Sequence, residues 1–454
     1  MNPDIFREYD IRGIAGTDMT ESEVTRIGSA VGTYLRRRER KRLVVGRDCR
    51  VTSPAYAERV IEGLLGTGCD VIDIGICPTP VFYFAIHHLS ADGGVMVTAS
   101  HNPPDYNGFK LCIGLDSIHG SEIGKIREMI DAEDFLTGEG VRSDAGVIGD
   151  YIDYVAGIIS IPRSLRVGVD AGNGTAGPVA VPLLKRFGCE VVDLYCEMDG
   201  TFPNHEADPT VRKNMEDLIG LVRREGLDLG IGYDGDGDRI GVVDEGGRIV
   251  YGDRLIILLA REILERKPGA TFIAEVKCSQ TLYDDITSRG GRAIMWKTGH
   301  SLIKEKMKAE GAALAGEMSG HLFFADRYLG FDDAIYATGR LLEILGRSDG
   351  PLSDLLADVP ETVTTPEIRV DCPDREKAEV VRRVADRLAG KYEVIDIDGV
   401  RVRFDDGWGL VRASNTQPAL VLRFEAATED RLEEIRGLLE GEVTAARVEM
   451  GQGR

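Results

Sequence analysis

Within Thr98-Ala-Ser-His-Asn-Pro-Pro-Asp-Tyr-Asn-Gly-Phe-Lys110, a hydroxyl, an imidazole and an amine follow closely enough to do chemistry together. The apolar run Gly94-Val-Met-Val97 reads as a buried strand, and the Asn102-Pro-Pro turn places Ser100 at that strand's carboxyl end. Open α/β sheets carry their chemistry at such ends. Gly108 permits a tight return, so the Lys110 amine can come back beside the Ser100 hydroxyl and supply nucleophile and base together. Ser and Asn also make ordinary polar turns with locally satisfied hydrogen bonds, and Ser100 alone is open to that reading.

Further along, Asp234-Gly-Asp-Gly-Asp-Arg239 alternates carboxylates with glycines, so an extended loop can turn Asp234, Asp236 and Asp238 to one side with nothing between them. Three such acids repel one another without a cation. Oxygen-only ligation, without the distant bidentate Glu of an EF-hand, suits Mg²⁺ better than Ca²⁺. Arg239, directly after, can contact an anion or orient a metal ligand. Arg412, Ser414, Asn415 and Thr416 join a forked cation to hydroxyl and amide groups in one turn, which is either a phosphate cradle or an ordinary Ser/Asn turn beside a surface arginine. In Gly316-Glu-Met-Ser-Gly-His321, alternation along an extended loop would present Glu317, Ser319 and His321 on one face, suited to sugar hydroxyls; a hydrogen-bonded structural histidine is the plainer reading.

The elements that must position these loops are written three times. Leu43-Val-Val45, a helix near 53–66 and Val71-Ile-Asp-Ile74 form a βαβ unit. Gly68-Cys-Asp-Val-Ile-Asp73 recurs as Gly188-Cys-Glu-Val-Val-Asp193 after the strand Arg166-Val-Gly-Val-Asp170, and more faintly as Gly290-Gly-Arg-Ala-Ile-Met295 after Thr271-Phe-Ile-Ala-Glu275 and a helix over 279–289. The period, about 100 to 120 residues, is domain-sized. Each copy runs on to another apolar strand, and Val95-Met-Val97, Leu229-Gly-Ile231 and Ala312-Ala-Leu-Ala315 lead to the Ser100, Asp234 and Glu317 loops. Copies packed around one cleft would bring the three loops together. Past Pro360 and Pro366, shorter alternating strands, Ile368-Arg-Val370 and Val400-Arg-Val-Arg-Phe404, indicate a smaller α+β domain. The Arg412 loop there joins Gly409-Leu-Val411 to Ala419-Leu-Val-Leu-Arg-Phe424, and a helix over 428–441 covers the sheet. The expected domains are 1–147, 148–250, 251–362 and 363–454.

A chain of 454 residues suits several domains, and its net charge of −21 argues against unaided nucleic-acid or anionic-membrane binding. A small anionic substrate, met by local cations, is compatible with it. The basic run Arg36-Arg-Arg-Glu-Arg-Lys-Arg42 reads as the solvated end of a helix. Eight scattered cysteines without a C-x-x-C pair read as reduced thiols, and no run approaches a membrane span, so a cytoplasmic protein is expected.

Taken in order, Thr98-Ala-Ser-His-Asn-Pro103, Asp234-Gly-Asp-Gly-Asp-Arg239, Gly316-Glu-Met-Ser-Gly-His321 and Arg412-Ala-Ser-Asn-Thr-Gln-Pro418 resemble the signatures of the α-D-phosphohexomutases. The resemblance spans the chain, from Phe6-Arg-Glu-Tyr-Asp-Ile-Arg-Gly13 through Val276-Lys-Cys278 and Trp296-Lys-Thr-Gly-His300 to Gly330-Phe-Asp-Asp333, and is strongest to the bacterial phosphomannomutase/phosphoglucomutase branch. It implies a heart-shaped α/β enzyme with three repeated mixed-sheet domains and a smaller α+β domain around a central cleft. It also implies that Ser100 is carried as phosphoserine, that Asp234, Asp236 and Asp238 hold one Mg²⁺ with that phosphate, and that a glucose or mannose 1,6-bisphosphate forms on the enzyme. By the same resemblance Lys110 is a general acid or base with His101 beside it. Tyr9 and Arg12 line the cleft, Lys277 and His300 are reaction-side contacts, Arg412, Ser414, Asn415 and Thr416 bind the distal phosphate, and Glu317, Ser319 and His321 recognise sugar hydroxyls. Arg12, Arg239 and His300 join the catalytic set; the partners are hexose phosphates, and the chain acts as a monomer or dimer. A phosphoglucosamine mutase shares these motifs but usually carries Gln where this chain has Met318, and a non-catalytic phosphosugar sensor would need no intact Ser100, Lys110 and acidic triad.

Overall fold

The computed structural model describes residues 1–414 and 417–452. Three of its four sheets share one plan, and we number the strands common to them. In the first, β1 (Arg42–Arg47), β2 (Asp70–Ile76), β3 (Gly93–Val97) and β4 (Tyr106–Ile113) lie in the order β2-β1-β3-β4. β5 (Arg166–Asp170), β6 (Glu190–Leu194), β7 (Leu229–Tyr233) and β8 (Ile240–Asp244) repeat it as β6-β5-β7-β8. β9 (Thr271–Glu275), β10 (Arg292–Trp296), β11 (Leu314–Gly316) and β12 (Leu322–Phe324) repeat it again as β10-β9-β11-β12. In each sheet the first three strands are parallel and the fourth returns antiparallel. The third and fourth strands therefore flank a short connection at the carboxyl end of the sheet.

The local chemistry accounts for this plan. All residues of β3 and of β7 are buried, as expected of central strands covered on both faces, which read as continuous apolar runs. The helix Glu21–Arg36 opens with a capping box between Thr20 and Glu23 and ends at the basic run, whose Arg37 pairs with Asp134 at the surface. An extra edge strand, Ile11–Ile14, lies against β4 and sets Arg12 opposite Gly108.

The fourth sheet is wholly antiparallel. β13 (Ile368–Asp371) pairs with β17 (Ala419–Ala426), followed by β16 (Gly407–Ala413), β15 (Val400–Phe404) and β14 (Glu393–Ile395). The final helix is longer than the pattern over 428–441 suggests, running Glu429–Gln452. Leu432, Ile435, Leu439, Val443 and Ala446 are all buried, so a stripe at helical spacing carries the helix onward across the sheet.

One apolar core runs without a break through the first three sheets, from Val44 and Met96 through Val169 and Ile231 to Phe272 and Leu314, whereas the fourth sheet has a core of its own around Val384, Leu422 and Leu439. The two bodies meet where Trp408 and Leu410 pack on Val276. There Arg401 stacks 3.9 Å above the Trp408 ring and donates to the Val276 and Cys278 carbonyls at 2.5 and 3.0 Å. All eight cysteines are free, six of them buried. No helix among the described residues is long and apolar enough to cross a membrane.

Candidate active site

Ser100 stands just past β3 with φ of 51°, in the left-handed region that only glycine enters freely. Its amide donates to Thr98 Oγ1 at 2.9 Å, and its hydroxyl donates to Asp234 Oδ2 at 2.7 Å, with His101 Nδ1 3.1 Å away. The corresponding ends of β3 and β7 are thus joined across two sheets. Gly235 makes the approach possible, because a Cβ there would lie 2.5 Å from the Ser100 carbonyl oxygen.

The acidic loop is a tight turn between β7 and β8, not the extended segment that alternation suggests. The Gly237 amide donates to the Asp234 carbonyl at 3.1 Å, and Asp234 Oδ1 accepts from the amides of Asp238 and Arg239, each at 3.1 Å. The turn brings carboxylate oxygens of Asp234, Asp236 and Asp238 within 4.8 Å of one another, and all three residues are wholly buried. Thr79, from the first domain, holds Asp236 through its hydroxyl at 2.7 Å and its amide at 2.8 Å.

Lys110, on β4, supplies the cation that these acids require. Its amine donates to Asp236 Oδ2 at 2.7 Å and to Asp238 Oδ2. The amine thus adjoins the Ser100 hydroxyl through the acidic turn, and its described hydrogen bonds go to carboxylates instead of to Oγ. Burial works against its charge, but Asp236 and Asp238 outweigh burial and push its pKa up, so it keeps its proton. Burial, with repulsion from Asp238 and Asp236, raises Asp234 well above the usual carboxylate range. Asp238 is also penalised by burial, yet Lys110 and His321 hold it well below that range.

The third loop is likewise a turn, with Glu317 N donating to the His321 carbonyl at 2.9 Å and Gly320 N to the Glu317 carbonyl at 3.1 Å. It is sewn to the acidic turn, since Ile240 N donates to the Gly320 carbonyl at 3.1 Å. His321 lies between Asp238 Oδ1 at 3.2 Å and Glu317 Oε2 at 2.7 Å, with Ser319 Oγ 3.3 Å from Nδ1. Against the cost of burial, these carboxylates lift its pKa to about 10 and make it an imidazolium. His101 and His300 are the opposite case: burial, reinforced by surrounding cations, holds both well below the usual range and leaves them neutral. The His300 ring sits 5.8 Å from that of His321 and 5.9 Å from that of Tyr9.

The peptide of Thr298 gathers three domains. Its carbonyl accepts from Tyr9 Oη at 2.7 Å, and its amide donates at 3.0 Å to Asp398, which also accepts from Arg412 Nε at 3.0 Å. The Arg412 fork is therefore partly engaged. Lys277 is held by Glu367 at 2.7 Å, and Arg12 spans Asn102 and Asp10, each at 2.5 Å. Ser414 Oγ accepts from Gln417 N at 3.2 Å, while Asn415 and Thr416 lie outside the described residues. Arg239 lies 4.0 Å from Asp234. The sequence motifs did not point to Thr79, Glu367 or Asp398, whose single polar groups carry no pattern of their own.

Profiles described as the alpha/beta/alpha domains I, II and III of phosphoglucomutase/phosphomannomutase match residues 3–137, 149–247 and 251–363, and the C-terminal domain profile matches 367–440. A phosphomannomutase/phosphoglucomutase of Pseudomonas aeruginosa is 45% identical over 442 residues, covering 97% of this chain and 96% of that protein. A phosphoglucomutase of Neisseria meningitidis is 43% identical, with 95% of each chain covered. The crystal structure of a phosphoglucomutase/phosphomannomutase family protein from Burkholderia thailandensis superimposes with a TM-score of 0.93 at 42% identity over 98% of both chains.

Proposed function

The chain belongs to the phosphoglucomutase/phosphomannomutase family, and from this premise we propose that it interconverts the 1-phosphates and 6-phosphates of mannose and glucose, with Ser100 carrying the phosphoryl group. One observation carries the reading: the 2.7 Å hydrogen bond from Ser100 Oγ to Asp234, which puts the serine hydroxyl at the end of a buried strand against an acidic turn of another domain. The phosphoryl group leaves Ser100 Oγ as its phosphorus bonds to the free hydroxyl oxygen of a hexose monophosphate, and Oγ regains a proton. The 1,6-bisphosphate turns over in the cleft, and its other phosphoryl group returns to Oγ. His101, on Oγ itself, is the group placed to exchange the proton, while Lys110 keeps its own and holds the neighbouring aspartates. Lys110, Arg239 and Arg12 set positive charge around the transferring group. Arg412 and Ser414, with Asn415 and Thr416, take the distal phosphate, Lys277 and His300 contact the reacting side, and Glu317, Ser319 and His321 take sugar hydroxyls.

The acidic turn fits Mg²⁺: its donors are all carboxylate oxygens, and the buried Asp236 Oδ1 has no hydrogen-bond partner among the described residues. Asp234, Asp236 and Asp238 would hold the ion, which supplies charge to offset that of the phosphoryl group. The proposed domain limits are 1–147, 148–250, 251–362 and 363–454, and the proposed compartment is the cytoplasm. A coupled assay on mannose 1-phosphate, glucose 1-phosphate and glucosamine 1-phosphate, run for the wild type and Ser100→Ala, tests the function. Turnover of the first two, lost by orders of magnitude in Ser100→Ala, is expected. Turnover of glucosamine phosphate alone would indicate the phosphoglucosamine mutase, and no turnover at all a sensor.

A further inference from the structure

Arg50 lies just past β1, outside every motif that pointed to chemistry, and is 1% exposed. Its Nη2 donates to the carbonyl oxygens of Ser100 at 2.9 Å and Asn102 at 2.6 Å, and its Nη1 to those of Pro103 at 2.5 Å and Tyr106 at 3.1 Å. Nε donates to Asp48 Oδ2 at 3.1 Å. Each N–H of the guanidinium is thereby used, and all but one act on the backbone of the Ser100 loop. Asp48 is itself fixed, accepting from Ser53 Oγ at 2.5 Å and donating its amide to the Val97 carbonyl at 2.9 Å. From the second domain, Phe202 sets its ring 5.1 Å from the Arg50 Cζ, and Gly200 forms a backbone bridge with Arg50.

Left-handed backbone at a serine persists only where its surroundings hold it, and carbonyl dipoles converging on one point repel each other without a cation at the centre. Stability alone is a poor account of the buried Arg50–Asp48 pair, because apolar side chains of similar volume commonly serve as well. We propose that Arg50, seated by Asp48 and covered by Phe202, is a positioning residue that sets the Ser100 backbone so that Oγ faces Asp234. This rests on reading Ser100 as the phosphoryl carrier. It also gives a purpose to the segment Gly200-Thr-Phe202, by which the domain holding the acidic turn braces the loop that the turn must meet.

The test is the rate at which the full-length, magnesium-loaded protein takes phosphate from glucose 1,6-bisphosphate, followed by intact mass. Arg50→Lys keeps the charge beside Asp48 but brings a single nitrogen, which cannot reach carbonyls spread over residues 100–106. Uptake should slow about a hundredfold, the scale of a misplaced reacting group, with little change in KM for hexose phosphate. Phe202→Leu, which keeps an apolar cover without the ring face, should slow uptake less, at an unchanged melting temperature. If the wild type takes up no phosphate, the carrier reading fails and the clamp with it. If the wild type is phosphorylated and both variants match its rate, the clamp alone is overturned. Should Arg50→Lys not fold, Phe202→Leu decides between the same outcomes.

Discussion

Lys110 and the three aspartates form a unit in which each charge depends on the others. The amine bonds two carboxylates of a turn whose three acids cannot all stay ionised together without a cation, and burial sharpens both the attraction and the repulsion. Asp236 is the sensitive member, because it serves Thr79, Lys110 and, through its unpartnered Oδ1, the ion proposed for the site. Asp236→Asn replaces a charged hard ligand with a neutral amide. The Mg²⁺ concentration for half-maximal activity should rise, and excess Mg²⁺ should restore part of the turnover. Equal activity of both proteins in chelator would remove the metal from this reading. The candidate site residues were legible because their types are rare in such company: a lone serine after a buried strand, and acids alternating with glycine. Their supports were not, since Thr79, Asp398 and Glu367 act through single hydrogen bonds or ion pairs formed only after distant segments meet.

At the scale of elements, the repeated phrase around Cys69 and Cys189 pointed to the right strands, and the fourfold strand order recurs in all three sheets. Side-chain alternation misled only inside the loops. A period of two assumes extended backbone, whereas both polar loops join an antiparallel pair and must reverse direction within a few residues, so hydrogen-bonded turns converge what extension was expected to align. The link from Arg412 through Asp398 to the Thr298 peptide, whose carbonyl also accepts from Tyr9, ties the fork to the third and first domains. A charge-assisted hydrogen bond contributes ~1.5 to 3 kcal/mol, so Arg412→Ala should lower kcat/KM roughly ten- to hundredfold. Arg412→Lys should recover only part of this, as a point charge cannot fix the phosphate's rotation. Steady-state kinetics in both directions check it, and a defect confined to one direction would contradict a distal role.

At the scale of the molecule, the fourth domain rests on the third through Trp408, Arg401 and the ion pair of Lys277 with Glu367. Attraction to Lys277 lowers the Glu367 pKa to about 2 from an ordinary 4.5. A carboxylate depressed in this way contributes to docking above 4.5 and loses that contribution as pH falls through 4.5 toward 2. Fluorescence of the buried Trp408 should follow that loss, and Glu367→Gln should flatten it; identical acid titrations would show that the pair adds nothing to docking. A hexose bisphosphate spanning Arg412 and Ser100 should draw the fourth domain inward, seen as a smaller radius of gyration in solution scattering with a substrate analogue than without it. The division of the apolar interior has a thermal counterpart. Three sheets that share one core cannot melt singly, whereas the fourth, with its own core and joined to the third by the small cluster around Trp408, can come apart first. Calorimetry should therefore record two heat-absorption peaks, the smaller at lower temperature, and amide protons of β16 should exchange with solvent before those of β3.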